Sequence, residues 1–190
     1  MEEKGTARQL PRRNSAYAKQ EYWEERFAAE KHYEWLESPE SLLPLLLPLL
    51  RPSMLVLTVG CGNSELSDAL VASGMPFVFN LDFSRTVLHA KLLALSSPNA
   101  ASSCSRFSAL LCLSSPPVGD CRVLFLRFFS FSSQIDKAAM DALMTEEGSV
   151  WEPRISVRQA ADGYLAGVGR CLKPGGLFIQ ITFQQPHFRR

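Results

Sequence analysis

The sequence predicts an α/β protein with a doubly wound, mostly parallel sheet. Residues 54–59 and 77–81 are short, continuous apolar runs, the pattern of strands that are buried on both faces. Each run is followed by a turn and then by a segment with helical character. A strand–helix–strand–helix order indicates parallel strands that are joined by right-handed crossovers.

Size and composition indicate one domain. The chain has 190 residues, of which 46% are apolar and 21% charged, and this suits a single core of ordinary globular type. We expect residues 1–190 to form this domain, with an N-terminal helical cap over residues 1–53 and a core over residues 54–183. Within the core, the sequence pattern defines residues 96–133 least.

Charge and hydropathy argue against two classes of partner. The formal net charge of +1 predicts no basic face of the kind that nucleic-acid binding requires. The most apolar stretch, residues 42–50, is interrupted by Pro44 and Pro48 and is shorter than the ~20 residues that cross a bilayer. The polar N-terminal residues contain no apolar signal-peptide core. We therefore expect a cytoplasmic protein that binds neither nucleic acid nor membrane.

The cysteines and histidines predict no metal site. The five cysteines include no Cys-x-x-Cys pair, and His32, His89 and His187 lie far apart in the sequence. Zinc sites need paired ligands at close spacing. We interpret the cysteines as reduced, mostly buried thiols.

Two helices are predicted before the first strand. Residues 16–31 place Trp23 and Phe27 near one helical face and charged residues elsewhere, which is typical of an amphipathic helix. Residues 42–50 are Leu-rich and form a second predicted helix, which ends at Pro52.

Capping residues delimit two helices of the core. Asn63 and Ser64 can cap a helix over residues 65–72, and Ser84 can cap another through residue 95. These helices follow the two apolar strands directly, as the predicted crossovers require.

The remaining elements are less regular. Residues 107–113 and 122–131 can each form a strand, although periodicity does not define their register. A helix over residues 137–144, a longer helix over residues 155–172 and a strand over residues 177–183 are predicted to follow. The sequence KPGG separates the last two elements and stops the helix.

The strongest local signal lies in LVLTVGCGNSEL, where the first strand enters a glycine turn. Gly60 and Gly62 let the backbone approach a ligand closely, and the helix behind them offers N–H groups at its N-terminus. Dinucleotide enzymes carry a third glycine where this chain has Glu65, whose carboxylate would repel a pyrophosphate. The turn therefore favours a phosphate-free ligand over a nicotinamide cofactor. The alternative interpretation is that the turn is an ordinary strand-to-helix connection that binds no ligand.

Asp82 favours a nucleoside ligand. It ends the second strand about 20 residues after the glycine turn, the spacing at which a doubly wound sheet places a carboxylate beside a ribose. The alternative to ribose binding is that Asp82 only stabilises a turn or caps the next helix, as many aspartates at strand ends do. Phe83 beside it can lie against an adenine ring or belong to the core.

A resemblance to a known family is carried by four segments: VGCGNSEL, LDFS, DKAAMDALMTEEG and RCLKPGGLFIQITF. They resemble class I S-adenosylmethionine-dependent methyltransferases, which have a Rossmann-like fold. The opening LPRRNSAYAKQEYWEERF, with YEWLES, resembles more narrowly the methyltransferase-like group that includes elongation factor 1-alpha lysine methyltransferases. The resemblance implies methyl transfer from S-adenosyl-L-methionine to a protein lysine, with elongation factor 1-alpha as an implied substrate.

The resemblance also implies which residues contact the cofactor. With Gly62 of the glycine turn, they are Trp23, Phe27, Trp35, Gly60, Asp82, Phe83 and Lys137. An independent physical reason applies to the aromatic residues, because their rings attract a sulfonium cation and exclude water. Without the resemblance, Trp23 and Phe27 fit helix packing equally well, and Lys137 would be interpreted as a surface lysine.

Two departures from the group leave an alternative open. The group has a strand that ends in an acidic residue contacting the adenine amine, whereas residues 96–133 offer only Asp120, which we do not assign. The fold normally adds a helix and an antiparallel hairpin after the last predicted strand, and residues 184–190 are too few to supply them. The alternative is a variant without activity that acts at most as a binding module.

No catalytic base is predicted. A lysine acceptor must be neutral, and Asp136 and Asp141 are the carboxylates nearest in the sequence that could take its proton. Both fit equally well a role in capping or solvating the helix that follows. The sequence does not define the oligomeric state of the protein.

Overall fold

A computed structural model describes residues 10–95, 109–112, 130–145 and 152–183. Eleven helices and strands follow one another in these residues, with 3-10 turns at Asn14–Ala18 and Leu47–Leu49. In chain order they are α1 (Gln20–Ala29), α2 (Pro39–Leu46), β1 (Val56–Val59), α3 (Leu66–Ala72), β2 (Val78–Asp82), α4 (Arg85–Leu95), β3 (Ala109–Cys112), β4 (Phe131–Lys137), α5 (Ala139–Leu143), α6 (Ile155–Cys171) and β5 (Leu172–Ile181).

The five strands form one sheet in the order β3-β2-β1-β4-β5. Every described strand pair is parallel, from the β2–β3 pair at one side to the β4–β5 pair at the other. The strand order reverses between β1 and β4. In open α/β sheets, ligands bind at such a switch point, beyond the carboxyl ends of the strands. The predicted α/β, doubly wound, Rossmann-like fold is confirmed.

Both faces of the sheet are covered, as the apolar strand runs predict. Alternate residues of a strand point to opposite faces, so Val56 packs with the side chains of α2 and α3, whereas Leu57 packs in a second cluster that includes Tyr164 and Cys171 of α6. Val56 and Leu57 are both almost completely buried. Burial on both faces fixes β1 in the centre of the molecule, directly beneath the glycine turn.

The N-terminal helices differ from the predicted boundaries. The first helix begins at Gln20 and not at residue 16, because Lys19 has an extended backbone that separates it from the preceding 3-10 turn. The second begins at Pro39, before the predicted start, because Ser38 accepts a hydrogen bond from Ser41 N and caps it. It ends at Leu46, and a short 3-10 turn follows.

Two boundaries near the C-terminal strands also differ. Lys137 ends β4 and does not start a helix, since α5 begins only at Ala139. The KPGG segment lies inside β5, which begins at Leu172. A register shift between the β4 partners of Leu172 and Leu177 accommodates the extra residues as a bulge.

The predicted strand over residues 107–113 is confirmed for Ala109–Cys112, the described residues of this stretch, which form β3. Of residues 122–131, only the last two are described, and Phe131 begins β4. Asp120 and residues 184–190 lie outside the described residues. In the part of the chain that the structure describes, no helix is long and apolar enough to cross a membrane.

Candidate functional site

A cavity of about 500 Å³ opens at the carboxyl ends of β1, β2 and β4. It lies at the switch point of the sheet, and the N-terminal segment up to Leu36 contributes one of its walls. The eight residues predicted to contact a cofactor all line it: Trp23, Phe27, Trp35, Gly60, Gly62, Asp82, Phe83 and Lys137. The structure thus brings the predicted site residues together around one space. Their contact with a cofactor stays a prediction.

The glycine turn lines the cavity with two residues of left-handed backbone, Gly60 and Gly62. Gly60 has a φ of +62°, and a Cβ atom there would lie 2.4 Å from Cβ of Ala139. Gly62 has a φ of +49°, and its Cβ would lie 3.4 Å from the ring of Phe27. Both positions have a left-handed backbone, which favours glycine, and at Gly60 the close approach of Ala139 excludes a side chain as well.

Asp82 lies at the end of β2 and points at the glycine turn. Its Oδ2 accepts a hydrogen bond from Gly62 N at 2.8 Å, and its Oδ1 accepts one from Ser84 N at 2.9 Å. Burial raises the pKa of this carboxyl group to about 6, against the opposing effect of the backbone hydrogen bonds; the negative charge of Glu24 adds to the increase. Asp82 is 4% exposed, so an added hydrogen-bond donor would stabilise its charged form.

Helix α1 holds the turn that follows Asp82. Gln20 Nε2 donates to the carbonyl oxygen of Phe83 at 2.6 Å. The Glu24 carboxylate accepts hydrogen bonds at 2.8–3.0 Å from Ser84 Oγ, Arg85 N and Thr86 N. We call these contacts of Gln20 and Glu24 with residues 83–86 the α1 clamp. Sequence reasoning did not find it.

An aromatic wall, made of Tyr17, Trp23, Phe27, Tyr33 and Trp35, closes one side of the cavity. The ring centroids of Trp23 lie 5.4 Å from Phe27 and 5.9 Å from Trp35. The guanidinium group of Arg26 lies 4.9 Å from the centroid of Trp35 and also contacts other rings of the cluster. These contacts hold the rings in place, so the packing role and the lining role proposed for Trp23 and Phe27 coexist.

Lys137 lies at the junction of the N-terminal segment with the core, and it is not a surface lysine. Its ammonium group forms an ion pair with Glu34 and donates to the carbonyl oxygen of Glu37 at 2.9 Å. The side chain of Lys137 is only 7% exposed. Glu34 also accepts hydrogen bonds from Ser64 Oγ and Glu65 N, just before α3.

The charge of Glu34 is stabilised in this position. Burial raises its pKa, but the hydrogen bonds from Lys137, Ser64 and Glu65 outweigh burial and lower the pKa below its usual value. The carboxylate therefore serves the ion pair and the N-terminus of α3 at the same time. Sequence reasoning did not single out Glu34.

Asp136 is occupied by local structure. Its carboxylate accepts hydrogen bonds from Ala139 N at 2.8 Å and Met140 N at 3.1 Å, at the start of α5, and from Tyr164 Oη at 2.7 Å. Burial raises the pKa of Asp136 and also that of Tyr164. Of the two roles that the sequence leaves open, the structure shows the capping role for this residue.

Asp141 lines the cavity from α5. Its Oδ1 accepts a hydrogen bond from Thr182 Oγ1 at 2.6 Å, and the residue is buried. Asp141 is therefore the acidic side chain on the β4 side that is both buried and in contact with the open space.

The thiols and possible metal ligands add no second site. Cys61 is a buried free thiol, and burial raises its pKa. Cys171 is a half-buried free thiol on α6. Within residues 10–95, 109–112, 130–145 and 152–183, no three side chains of His, Cys, Asp or Glu lie close enough to bind a metal ion.

Sequence reasoning missed two glutamates, which bind backbone N–H groups far away in the sequence. Glu24 caps α4 from more than fifty positions upstream, and Glu34 does the same for α3 from about thirty positions upstream. Capping motifs are recognised in a sequence by residues within one helical turn. No local signal could therefore identify these two glutamates.

Comparison with known proteins gives relatives over almost the whole chain. EEF1A lysine methyltransferase 4 of Bos taurus is 33% identical over 184 residues, which cover 95% of this chain and 67% of the relative. The eEF1A lysine and N-terminal methyltransferase of Bos taurus is 31% identical over 180 residues, which cover 94% of this chain and 23% of the relative. No protein-family model matches the chain.

Solved structures share the fold. One is magnesium protoporphyrin IX methyltransferase from Synechocystis PCC 6803 with bound SAM. It has a TM-score of 0.51 and 12% identity, and the match covers 88% of this chain and 75% of the solved chain. A second solved structure concerns the conversion of a disulfide bond into a thioacetal group during echinomycin biosynthesis. It has a TM-score of 0.53 and 20% identity, and the match covers 83% of this chain and 59% of the solved chain.

The relatives and the arrangement of the cavity agree with the resemblance that the sequence motifs predict. The glycine turn, the aspartate that ends β2 and the aromatic wall meet at the switch point of a Rossmann-like sheet. The chain belongs to the family of EEF1A lysine methyltransferases.

Proposed function

We propose that the chain transfers a methyl group from S-adenosyl-L-methionine to the side chain of a protein lysine. One observation carries the proposal: the Asp82 carboxylate and the Gly62 backbone meet at the edge of a cavity that the aromatic wall also lines. A nucleoside that carries a sulfonium cation needs both features, an acceptor for its ribose hydroxyl groups and rings that attract the cation.

The residues around the cavity fit this cofactor better than they fit a dinucleotide. The volume of about 500 Å³ suits a ligand of its size. Asp82 would suit the ribose of either ligand, but Asp141 also lines the space, and its carboxylate would repel a pyrophosphate. The buried indole N–H of Trp35 has no hydrogen-bond acceptor among the described residues, and a polar group of a ligand can supply one.

The eight lining residues named above are proposed cofactor contacts. Asp82 would accept hydrogen bonds from the ribose, Phe83 would lie against the adenine, and Trp23 and Phe27 would exclude water beside the sulfonium. When bound, the cofactor supplies an activated methyl group. The protein contributes alignment and exclusion of water, which together can account for ~7–11 kcal/mol of the barrier.

The acceptor lysine must lose its proton before the transfer. At pH 7 the neutral amine costs about 4.6 kcal/mol, given an ordinary lysine pKa near 10.4. Asp141 is the candidate for stabilising or receiving this proton, since it is buried and lines the cavity. Asp136 is engaged by α5 and Tyr164, so we assign it to positioning.

We infer the substrate class from the relatives. Two relatives that each cover 95% of this chain are named EEF1A lysine methyltransferase 4, and elongation factor 1-alpha is therefore the first substrate to test. A cytoplasmic location would follow from such a substrate. The free thiols of Cys61 and Cys171 are compatible with a reducing compartment.

We also propose that residues 1–190 work as one domain, in which residues 1–53 cap the core of residues 54–183. The contacts of Glu24 with α4, and those of Glu34 with Lys137 and the start of α3, support this proposal. Because the cap supplies the aromatic wall, the core without it would lack one side of the cavity.

The first experiment is isothermal titration of the purified chain with S-adenosylhomocysteine. We expect saturable binding with one site per chain. Asp82→Ala should weaken the binding strongly, whereas Asp68→Ala, an exposed carboxylate on α3, should leave it unchanged. Absence of binding by the folded chain would overturn the proposed function.

The second experiment measures transfer of a labelled methyl group to recombinant elongation factor 1-alpha. Incorporation that a Lys→Arg change in the acceptor abolishes would support lysine methylation. Binding of the cofactor product without transfer to any protein would favour the alternative, a variant that acts only as a binding module.

A further inference from the structure

We propose that Glu24 is a positioning residue for cofactor binding: its carboxylate holds the turn that places Asp82 and Phe83 at the edge of the cavity. The inference rests on the proposed function, because it assigns a further residue to the same site. Glu24 is absent from the predicted contacts and does not line the cavity, so it would act through other residues.

The contacts of Glu24 are concentrated on one turn. Its Oε2 accepts hydrogen bonds from Ser84 Oγ at 2.9 Å and Thr86 N at 3.0 Å, and its Oε1 accepts one from Arg85 N at 2.8 Å. The turn is tied to Asp82 by the hydrogen bond from Ser84 N. A displacement of the turn would therefore move the Asp82 carboxylate and the ring of Phe83 together.

The charge of Glu24 is matched to this position. Burial raises its pKa, but hydrogen bonds from Thr86, Arg85 and Ser84 outweigh burial and lower the pKa to about 2. The residue is thus anionic at neutral pH. It lies at the N-terminus of α4, where a helix of 11 residues favours a negative charge.

The same helix carries two residues of the aromatic wall. Trp23 and Phe27 lie on α1 on either side of Glu24 and line the space. Gln20, one turn before Glu24, donates to the carbonyl oxygen of Phe83. The α1 clamp therefore ties Trp23 and Phe27 to the turn that follows Asp82, so it fixes the position of these rings relative to Asp82 and Phe83.

A purely structural role makes a different prediction. If Glu24 only stabilised the fold, its replacement would lower the melting temperature but leave the affinity of the folded molecules unchanged. If it positions Asp82 and Phe83, the affinity for the cofactor falls even where every molecule is folded. The two roles separate when binding is measured well below the unfolding transition.

The test compares Glu24→Gln with Glu25→Gln. Both changes remove one negative charge from α1, but Glu25 is exposed and lies outside the clamp. Dissociation constants for S-adenosylhomocysteine are measured by titration at 15 °C, with circular dichroism to verify folding. We expect Glu24→Gln to raise the dissociation constant about tenfold, because without the cap only a fraction of the folded molecules would hold Asp82 and Phe83 in the binding position, and Glu25→Gln to leave it unchanged.

Kinetic measurements give a second test, because a purely structural role would leave KM for the cofactor unchanged. In methyl transfer to the acceptor protein, Glu24→Gln should raise KM for the cofactor about tenfold and leave kcat at saturating cofactor unchanged. If Glu24→Gln does not fold, Gln20→Ala tests the same clamp through its other contact and should raise the dissociation constant about threefold.

The outcomes distinguish this inference from the function on which it rests. Cofactor binding by the unaltered chain together with equal binding by folded Glu24→Gln would overturn the positioning role alone. An effect of Glu25→Gln as large as that of Glu24→Gln would overturn it too, because it would assign the loss to net charge. Absence of binding by the unaltered chain would overturn both proposals.

Discussion

At the scale of single residues, the protonation state of Asp82 governs the proposed ribose contact. Its pKa is raised to about 6 in the folded chain, mainly by burial. Hydroxyl groups donate to the carboxylate, so the cofactor should bind the deprotonated form. Because the group is mostly protonated at pH 5, affinity for S-adenosylhomocysteine should be about tenfold weaker at pH 5 than at pH 8.

In the chain without ligand, the same carboxyl group has the opposite pH dependence: the stability of the fold decreases as pH rises, whereas the affinity for the cofactor increases. A carboxyl group whose pKa is higher in the folded than in the unfolded state destabilises the fold as pH rises from ~4 to 6. Binding titrations between pH 5 and pH 8, with Asp82→Asn as the control, check the prediction on affinity. Affinity that follows the same pH profile in Asp82→Asn would assign the dependence to another group.

Ala138 shows backbone strain beside the site. It has a φ of +66° and lies between β4 and α5. The left-handed region costs a residue with a Cβ roughly 1–2 kcal/mol, which glycine avoids, although glycine loses about 0.4–1 kcal/mol through the unfolded state. Ala138→Gly should therefore stabilise the fold by about 0.5 kcal/mol or slightly more, as measured by urea denaturation.

The matched control for this change is Ala142→Gly. Ala142 lies within α5, where the backbone is right-handed and glycine is unfavourable. This variant should lose about 1 kcal/mol. Destabilisation by both variants would show that the left-handed geometry at residue 138 carries no cost that glycine relieves.

At the scale of elements, the N-terminal segment is fastened to the core by two glutamates that cap different helices. Glu34 is the one whose loss should affect stability most, since its partner Lys137 would remain almost buried without a counter-charge. Breaking such a pair from one side is costly. We expect Glu34→Gln to lower the free energy of unfolding by about 2 kcal/mol.

Glu37→Gln provides the control for Glu34→Gln. Glu37 accepts a hydrogen bond from Lys137 through its backbone carbonyl, and its side chain is exposed. The change should alter stability by less than about 0.5 kcal/mol. Denaturation midpoints that coincide for the two variants would contradict the role assigned to Glu34.

At the scale of the whole molecule, the cavity lies between the cap and the sheet, so a ligand in it contacts both parts. Binding to the folded state alone stabilises it by about 2.7 kcal/mol at a concentration of 100 times the dissociation constant. For a chain of this length we expect the melting temperature to rise by about 5–10 °C with S-adenosylhomocysteine. NADH at the same concentration should produce no increase. An increase with NADH and none with S-adenosylhomocysteine would contradict the phosphate-free site.

The sequence by itself determined two strands of the sheet and the two landmarks of the site. Continuous apolar runs defined β1 and β2, the glycine turn was visible because it directly follows β1, and Asp82 was visible because it ends β2. These signals are local, and burial on both faces leaves no other pattern for such short strands. The confirmed family resemblance depended on similarly local motifs.

Only the tertiary structure decided how the site is held together. The contacts of Glu24 with residues 84–86 and of Glu34 with Lys137 join positions that are far apart in the chain. A glutamate on a polar helical face has the same sequence context whether it caps a distant helix or faces water. Its role depends on which backbone N–H groups the fold brings within hydrogen-bond distance, and the strand order that does so is a property of the folded chain.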